Sequence, residues 1–125
     1  MCLSNLTTKK AKTAKEDIPC FKALDEYLRS PYMWYVYKLG EKVSIDCSLC
    51  RNEVGQIMIG LHSFQTLKDA ETESIIWRNN SSKNIIIHKA IIPKGAKYFE
   101  GFSIMHNTYI RKAYTSTELI VLEKV

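Results

Sequence analysis

Residues 85–99 read Ile85-Ile86-Ile87-His88-Lys89-Ala90-Ile91-Ile92-Pro93-Lys94-Gly95-Ala96-Lys97-Tyr98-Phe99, and the chain closes on Thr117-Glu118-Leu119-Ile120-Val121-Leu122. β-Branched side chains lose rotamer freedom in a helix and pack well on a pleated surface, so the isoleucine run predicts a central strand buried on both faces. Pro93 presets one backbone angle and Gly95 supplies a positive φ, which together predict a tight turn. A second strand then leaves at 96–99, residues 101–113 fit neither periodicity, and 114–123 form a closing strand. Strand, turn, strand and closing strand make this a β-rich domain, and the stretch carries no catalytic signature.

Working outward, Thr66 opens the one convincing helix, over 66–78. Its hydroxyl can cap the first-turn amides while Asp69 answers the positive end of the dipole. Leu67, Ala70, Ser74 and Trp77 share one face, with Lys68, Asp69, Glu71 and Glu73 placed largely elsewhere. Before the helix, residues 56–64 read as an apolar strand containing His62. Tyr32-Met33-Trp34-Tyr35-Val36-Tyr37-Lys38-Leu39 ends at Gly40 as another, with residues 42–46 as its partner and 47–55 as a polar loop. Pro19 biases Ile18 toward extended geometry, so a short strand is expected over 20–24, followed by a single helical turn at 25–29. The expected architecture is α+β: a single domain over residues 17–125, with a curved, mostly antiparallel sheet and one helix packed on it. Residues 1–16, Lys- and Thr-rich, form a basic, partly ordered N-terminal arm.

Size and composition set further bounds. A chain of 125 residues buries roughly two-thirds of its unfolded surface, enough for one core without metal or disulfide. Hydrophobic content of 46% with only 5 Gly and 3 Pro argues against disorder. No apolar run reaches the ~18 residues of a membrane span, and the first residues lack a secretory pattern, so a cytoplasmic protein is expected. In that reducing compartment Cys2, Cys20, Cys47 and Cys50 are expected as thiols. Of the net charge of +5, much comes from Lys9, Lys10, Lys12 and Lys15 in the arm. A short basic arm reads first as a solvated tail, and nucleic acid is not the expected partner.

Several segments together resemble a group of small uncharacterised proteins of bacteriophages, prophages and gut bacteria. They are the Met1-Cys2-Leu3 opening, Ala14 to Ile18, Cys20 to Leu24, Gly60-Leu61-His62-Ser63-Phe64 running into Leu67 to Ala70, Ile91 to Tyr98, and Ala113 to Ser116. The resemblance implies a phage or prophage accessory protein in a bacterial host cell and hands over no catalytic residues. A more distant similarity is to the ADP-ribosyltransferase-like fold, which implies NAD as cofactor. On that alignment Lys22 falls where the family has the Arg or His that holds the dinucleotide, and Glu118 is the candidate catalytic carboxylate.

Candidate sites follow from residue types. Cys47-Ser48-Leu49-Cys50 has the spacing for two zinc ligands, half of a tetrahedral site that Cys2, Cys20, His62 or His106 would have to complete. Removal of Met1 would give Cys2 a thiol beside a free amine, the pairing of N-terminal nucleophiles. His62 and His88 lie inside apolar strands, where a histidine is usually a hydrogen-bonded core residue. If those strands are neighbours, both imidazoles line one face and form, with Lys89, Lys94 and Tyr98, a basic pocket for an anionic ligand. Trp34, among Tyr32, Tyr35 and Tyr37, offers stacking to a nucleotide-like ligand, or core packing. No phosphate-loop, dinucleotide, zinc-protease or nucleophile-elbow motif occurs. The expected function is therefore non-enzymatic, with no cofactor: sequestration of a small anionic ligand or a host protein, by a chain that is a candidate homo-oligomer. The alternative is a diverged NAD-using enzyme.

Overall fold

The computed structural model describes the backbone of residues 10–30, 35–45, 50–51, 57–80, 84–105 and 109–125, with side chains at 10–30, 35–45, 60–75, 84–102 and 112–125. The chain runs β1 (Lys12–Thr13), β2 (Ile18–Asp25), β3 (Lys42–Ser44), β4 (Cys50–Arg51), β5 (Ile57–Ile59), β6 (Leu61–Phe64), α1 (Leu67–Asn80), β7 (Ile85–Ile92), β8 (Lys97–Met105), β9 (Tyr109–Ser116) and β10 (Glu118–Lys124). Eight strands form one antiparallel sheet in the order β1-β8-β9-β6-β2-β7-β10-β3, while β4 and β5 pair separately. The α+β class, the single helix and the curved antiparallel sheet agree with the sequence reading.

The sheet has a seam. β2 pairs with β7 along its whole length, from Ile18–Ile92 to Asp25–Ile85, and β8 pairs with β9 as extensively. Between β2 and β6 the pairing is confined to Phe21–Phe64. The sheet thus has two four-stranded halves, β1-β8-β9-β6 and β2-β7-β10-β3, whose ladder is joined by one residue pair while the larger core packs across both.

Each face has its own core. Helix α1 covers one, where Ala70 meets Phe64, Phe99 and Ala113, with Phe21 and Ile87 at the margin. Small residues at 70 and 113, both fully buried, let helix and sheet approach closely. The opposite face carries the larger cluster, including Cys20, Leu24, Tyr37, Leu61, Ala90, Ile92, Leu119 and Val121, with Tyr98 and Tyr114 partly buried against it. The helix starts where its cap predicts: Thr66 Oγ1 accepts from the Asp69 amide at 3.1 Å and donates to Asp69 Oδ2 at 2.7 Å.

Several local expectations are corrected. Residues 25–29 form a turn rather than a helical turn. Asp25 Oδ1 accepts from the amides of Tyr27 and Arg29, and Leu28 takes a left-handed conformation at φ 61°. The described part of the aromatic segment, from residue 35, makes an isolated bridge, Val36–Arg29, and β3 pairs with β10 rather than with that segment. Gly60 splits the 56–64 strand into β5 and β6, and Thr117 splits the closing strand into β9 and β10. The undecided 101–113 stretch supplies both arms of the β8–β9 hairpin, running from Tyr98–Ser116 to Met105–Tyr109. The strands bearing His62 and His88 are not neighbours, because β2 lies between them.

Candidate functional site

Strand register decides which side chains meet. Successive side chains alternate faces, and paired residues share one. Lys22 pairs with His88 and Cys20 with Ala90, so all four share the face of the larger core. Phe21 pairs with Phe64 on the helix face, which also places His62 there and puts Ser63 on the Lys22 side. His62 and His88 therefore project from opposite faces, and the shared pocket expected of them does not form.

The other expected members disperse. Lys89 points away from His88, exposed, with its ammonium 3.8 Å from Glu123. Lys94 is exposed in the β7–β8 turn, its amide bonded to Asp17 Oδ1 at 2.8 Å. Tyr98 does share the His88 side, edge-on to Tyr114 with ring centroids 5.9 Å apart. Trp34, Cys2, Cys47 and His106 lie outside the described residues, and of Cys50 only the backbone is described. Among the described residues no group of three or more His, Cys, Asp or Glu could hold a metal ion. Glu118 sits half-buried with its carboxylate 3.3 Å from Lys42 Nζ. It alternates with Leu119 and Val121, which face the Lys22 side, so Lys22 and Glu118 leave the sheet on opposite faces.

What the structure assembles instead is a polar group at the seam. Lys22 is 6% exposed, in the middle of a strand flanked by Cys20 and Leu24. Because β6 is not paired to β2 beyond Phe64, the His62 carbonyl has no β2 amide opposite it, and Lys22 Nζ donates to it at 2.5 Å. The ammonium lies 5.5 Å from the centroid of the buried Tyr37 ring. Among the described residues it makes no ion pair. An ammonium carries three donors, and a carbonyl with a ring face is poor compensation for a lost hydration shell. Burial accordingly lowers the Lys22 pKa from 10.5 to about 8, with Cys20 and the buried Glu73 partly restoring it.

Beside Lys22, the Ser63 hydroxyl is fully buried and has no oxygen or nitrogen partner. The Cys20 thiol near it is a weak partner, pushed up by burial from 9.0 to about 11 and so held neutral. His88, across the strand pair from Lys22, sits with Nδ1 3.3 Å from the Ile86 carbonyl. A carbonyl only accepts, so the neutral ring carries its proton on Nδ1 and offers Nε2 as an acceptor. Burial lowers the His88 pKa, and nearby Lys124 pushes the same way. The seam therefore sets a desolvated cation over the Tyr37 ring beside a buried hydroxyl with only a thiol for company, and the neutral His88 imidazole lies on the far side of β2. Of these, the Lys22 ammonium and the Ser63 hydroxyl can donate to an anion, whereas His88 Nε2 only accepts.

Ser63 carries no signal of its own in the sequence, and Lys22 entered only through the alignment to the ADP-ribosyltransferase-like fold. Lys22 occupies an inward position in the alternation Cys20-Phe21-Lys22-Ala23-Leu24, which was signal enough to place it in the core. Glu73, put on the outer helix face, is 1% exposed; it fills the slot three residues after Ala70 on the buried stripe. The chain matches no known protein family, no curated protein and no solved structure. Among the described residues no helix is long and apolar enough to cross a membrane.

Proposed function

We propose that this chain is a non-enzymatic binding protein that holds a small phosphate- or carboxylate-bearing ligand at the β2–β6 seam, with Lys22 and Ser63 as anchoring donors. In the phage or prophage setting that the sequence resemblance implies, the activity is sequestration. The observation that carries the reading is a buried ammonium and a buried hydroxyl with only a thiol beside it, on facing positions of two strands that no longer pair.

The energetics support it. A buried hydroxyl whose one neighbour is a weakly bonding thiol is poorly compensated for its lost water. A lysine whose pKa falls from 10.5 to about 8 holds its proton at a cost of roughly 3 kcal/mol. An anion at the seam would offset both, and half-buried Tyr114 on the same side would suit a ligand with a planar, nucleotide-like part. The enzyme alternative gains nothing, since its two charged groups leave opposite faces of the sheet.

Isothermal titration calorimetry with inorganic phosphate and a panel of nucleotides and cyclic nucleotides tests the proposal. An anion next to Lys22 raises its pKa, so binding near pH 8 takes up a fraction of a proton, and the measured heat changes with the ionisation enthalpy of the buffer. Lys22→Met abolishes that buffer dependence and Ser63→Ala weakens binding. Absence of heat across the panel, or binding indifferent to both substitutions, refutes the ligand site.

A further inference from the structure

The amino-terminal lysines do not hang free of the domain. Lys12 and Thr13 form β1 and pair with Tyr98 and Lys97 of β8. The ladder continues through Ala14, whose amide donates to the Ala96 carbonyl at 2.8 Å and whose carbonyl accepts from Gly95 at 2.9 Å. Asp17 then ties down the Lys94 amide. The lysines at 10, 12 and 15 are thereby fixed beside those at 94 and 97, distant in sequence. By the register Lys12 leaves on the Tyr98 face and Lys97, paired with Thr13, on the other, so the ammonium groups flank both sides of one sheet edge whose strands lie about 4.8 Å apart.

All five side chains are exposed, and among the described residues none is in an ion pair. Against them stand the nearby carboxylates of Glu16 and Asp17, leaving three positive charges at this corner of a chain whose net charge is +5. Glu100, further along β8 and close enough to act on Tyr114, closes the strip. Lys12 shares its face with Tyr98, whose half-buried ring is fixed edge-on by Tyr114 at an interplanar angle of 82°. A held aromatic plane on one face of an edge flanked by unpaired ammonium groups on both fits a single strand that can wrap the edge and stack a base, which a duplex does not offer.

We propose that the β1–β8 edge is a binding surface for single-stranded nucleic acid, with Lys10, Lys12, Lys15, Lys94 and Lys97 tracking phosphates and Tyr98 stacking a base. The surface is separate from the Lys22 seam and stands whether or not that site binds a ligand.

Fluorescence anisotropy with a labelled oligothymidylate, run across a salt series, tests it. Each single-strand phosphate contact contributes about −0.7 to the slope of log K against log salt. The double variant Lys94→Gln, Lys97→Gln flattens the slope by about 1.4, whereas Lys38→Gln with Lys68→Gln, which removes the same charge elsewhere, leaves it unchanged. Tyr98→Leu weakens binding about fivefold or more. Circular dichroism confirms that each variant is folded. Absence of binding at low salt, an equal effect of the control pair, or a blunt duplex binding as tightly as the single strand overturns the proposal.

Discussion

Replacing Lys22 with methionine isolates the cost of the buried charge through its pH dependence. In the folded chain Lys22 titrates at about 8, against 10.5 when exposed. Between those values the unfolded chain binds the proton and the folded chain does not, so stability rises with pH across this window. The destabilisation due to Lys22 is about 3 kcal/mol at pH 7 and about 2 kcal/mol at pH 9. Methionine keeps the stem volume and removes the charge. It also removes the hydrogen bond to the His62 carbonyl, a loss of about 1–3 kcal/mol that does not vary with pH. The two effects nearly cancel at pH 7, and the variant then loses ground to the wild type by about 1 kcal/mol on going to pH 9. Cys20 works in the opposite sense: its pKa is raised to about 11, so it destabilises the fold as pH climbs above 9. The comparison is therefore made with Cys20→Ala in both backgrounds, by urea denaturation between pH 7 and 9. Parallel stability curves would show that Lys22 is not held in a desolvating site and would refute the reasoning.

Other perturbations test other parts of the structure. Thr66→Ala removes the helix cap and should lower stability by about 1 kcal/mol in the same assay, with Thr66→Asn retaining most of it. Burial alone would raise the Asp25 pKa, but hydrogen bonds from Arg29 and Tyr27 hold it below the usual carboxylate range. Asp25 therefore stabilises the fold above pH 4 or so and loses that contribution as the solution is acidified; the stability gap between wild type and Asp25→Asn should narrow from pH 6 to pH 3. Gly95 stands at φ +93° with open space where a Cβ would go, so Gly95→Ala should cost about 1–2 kcal/mol from backbone strain alone, read as a lower urea midpoint with unchanged slope.

Local chemistry was legible in the sequence where one residue type dictates one geometry. The isoleucine run became β7, the Pro93–Gly95 turn formed, and Thr66 capped the helix with Asp69, because each follows from short-range sterics or a neighbouring hydrogen bond. Pairing was not legible, since it depends on partners far along the chain. His62 and His88 both sit in apolar segments, but only the register shows β2 between their strands and the two rings on opposite faces. The inward placement of Lys22 and Glu73 was legible from position alone, against the charge of both side chains. The alternation of β2 and the helical stripe around Ala70 already pointed both inward, and a charged residue at an inward position is the stronger sign of a site. The β1–β8 pairing, which turns the basic arm into a sheet edge, rests on backbone groups with no side-chain signature.

The most direct measurement of the central claim is the titration of the Lys22 ammonium itself, followed by NMR of 13Cε-labelled lysine before and after addition of phosphate or a nucleotide. The expected result is a single lysine titrating near 8 in the free protein, assigned by its loss in Lys22→Met and moving upward as the anion is added. A Lys22 resonance titrating with the exposed lysines and unmoved by any anion would contradict it.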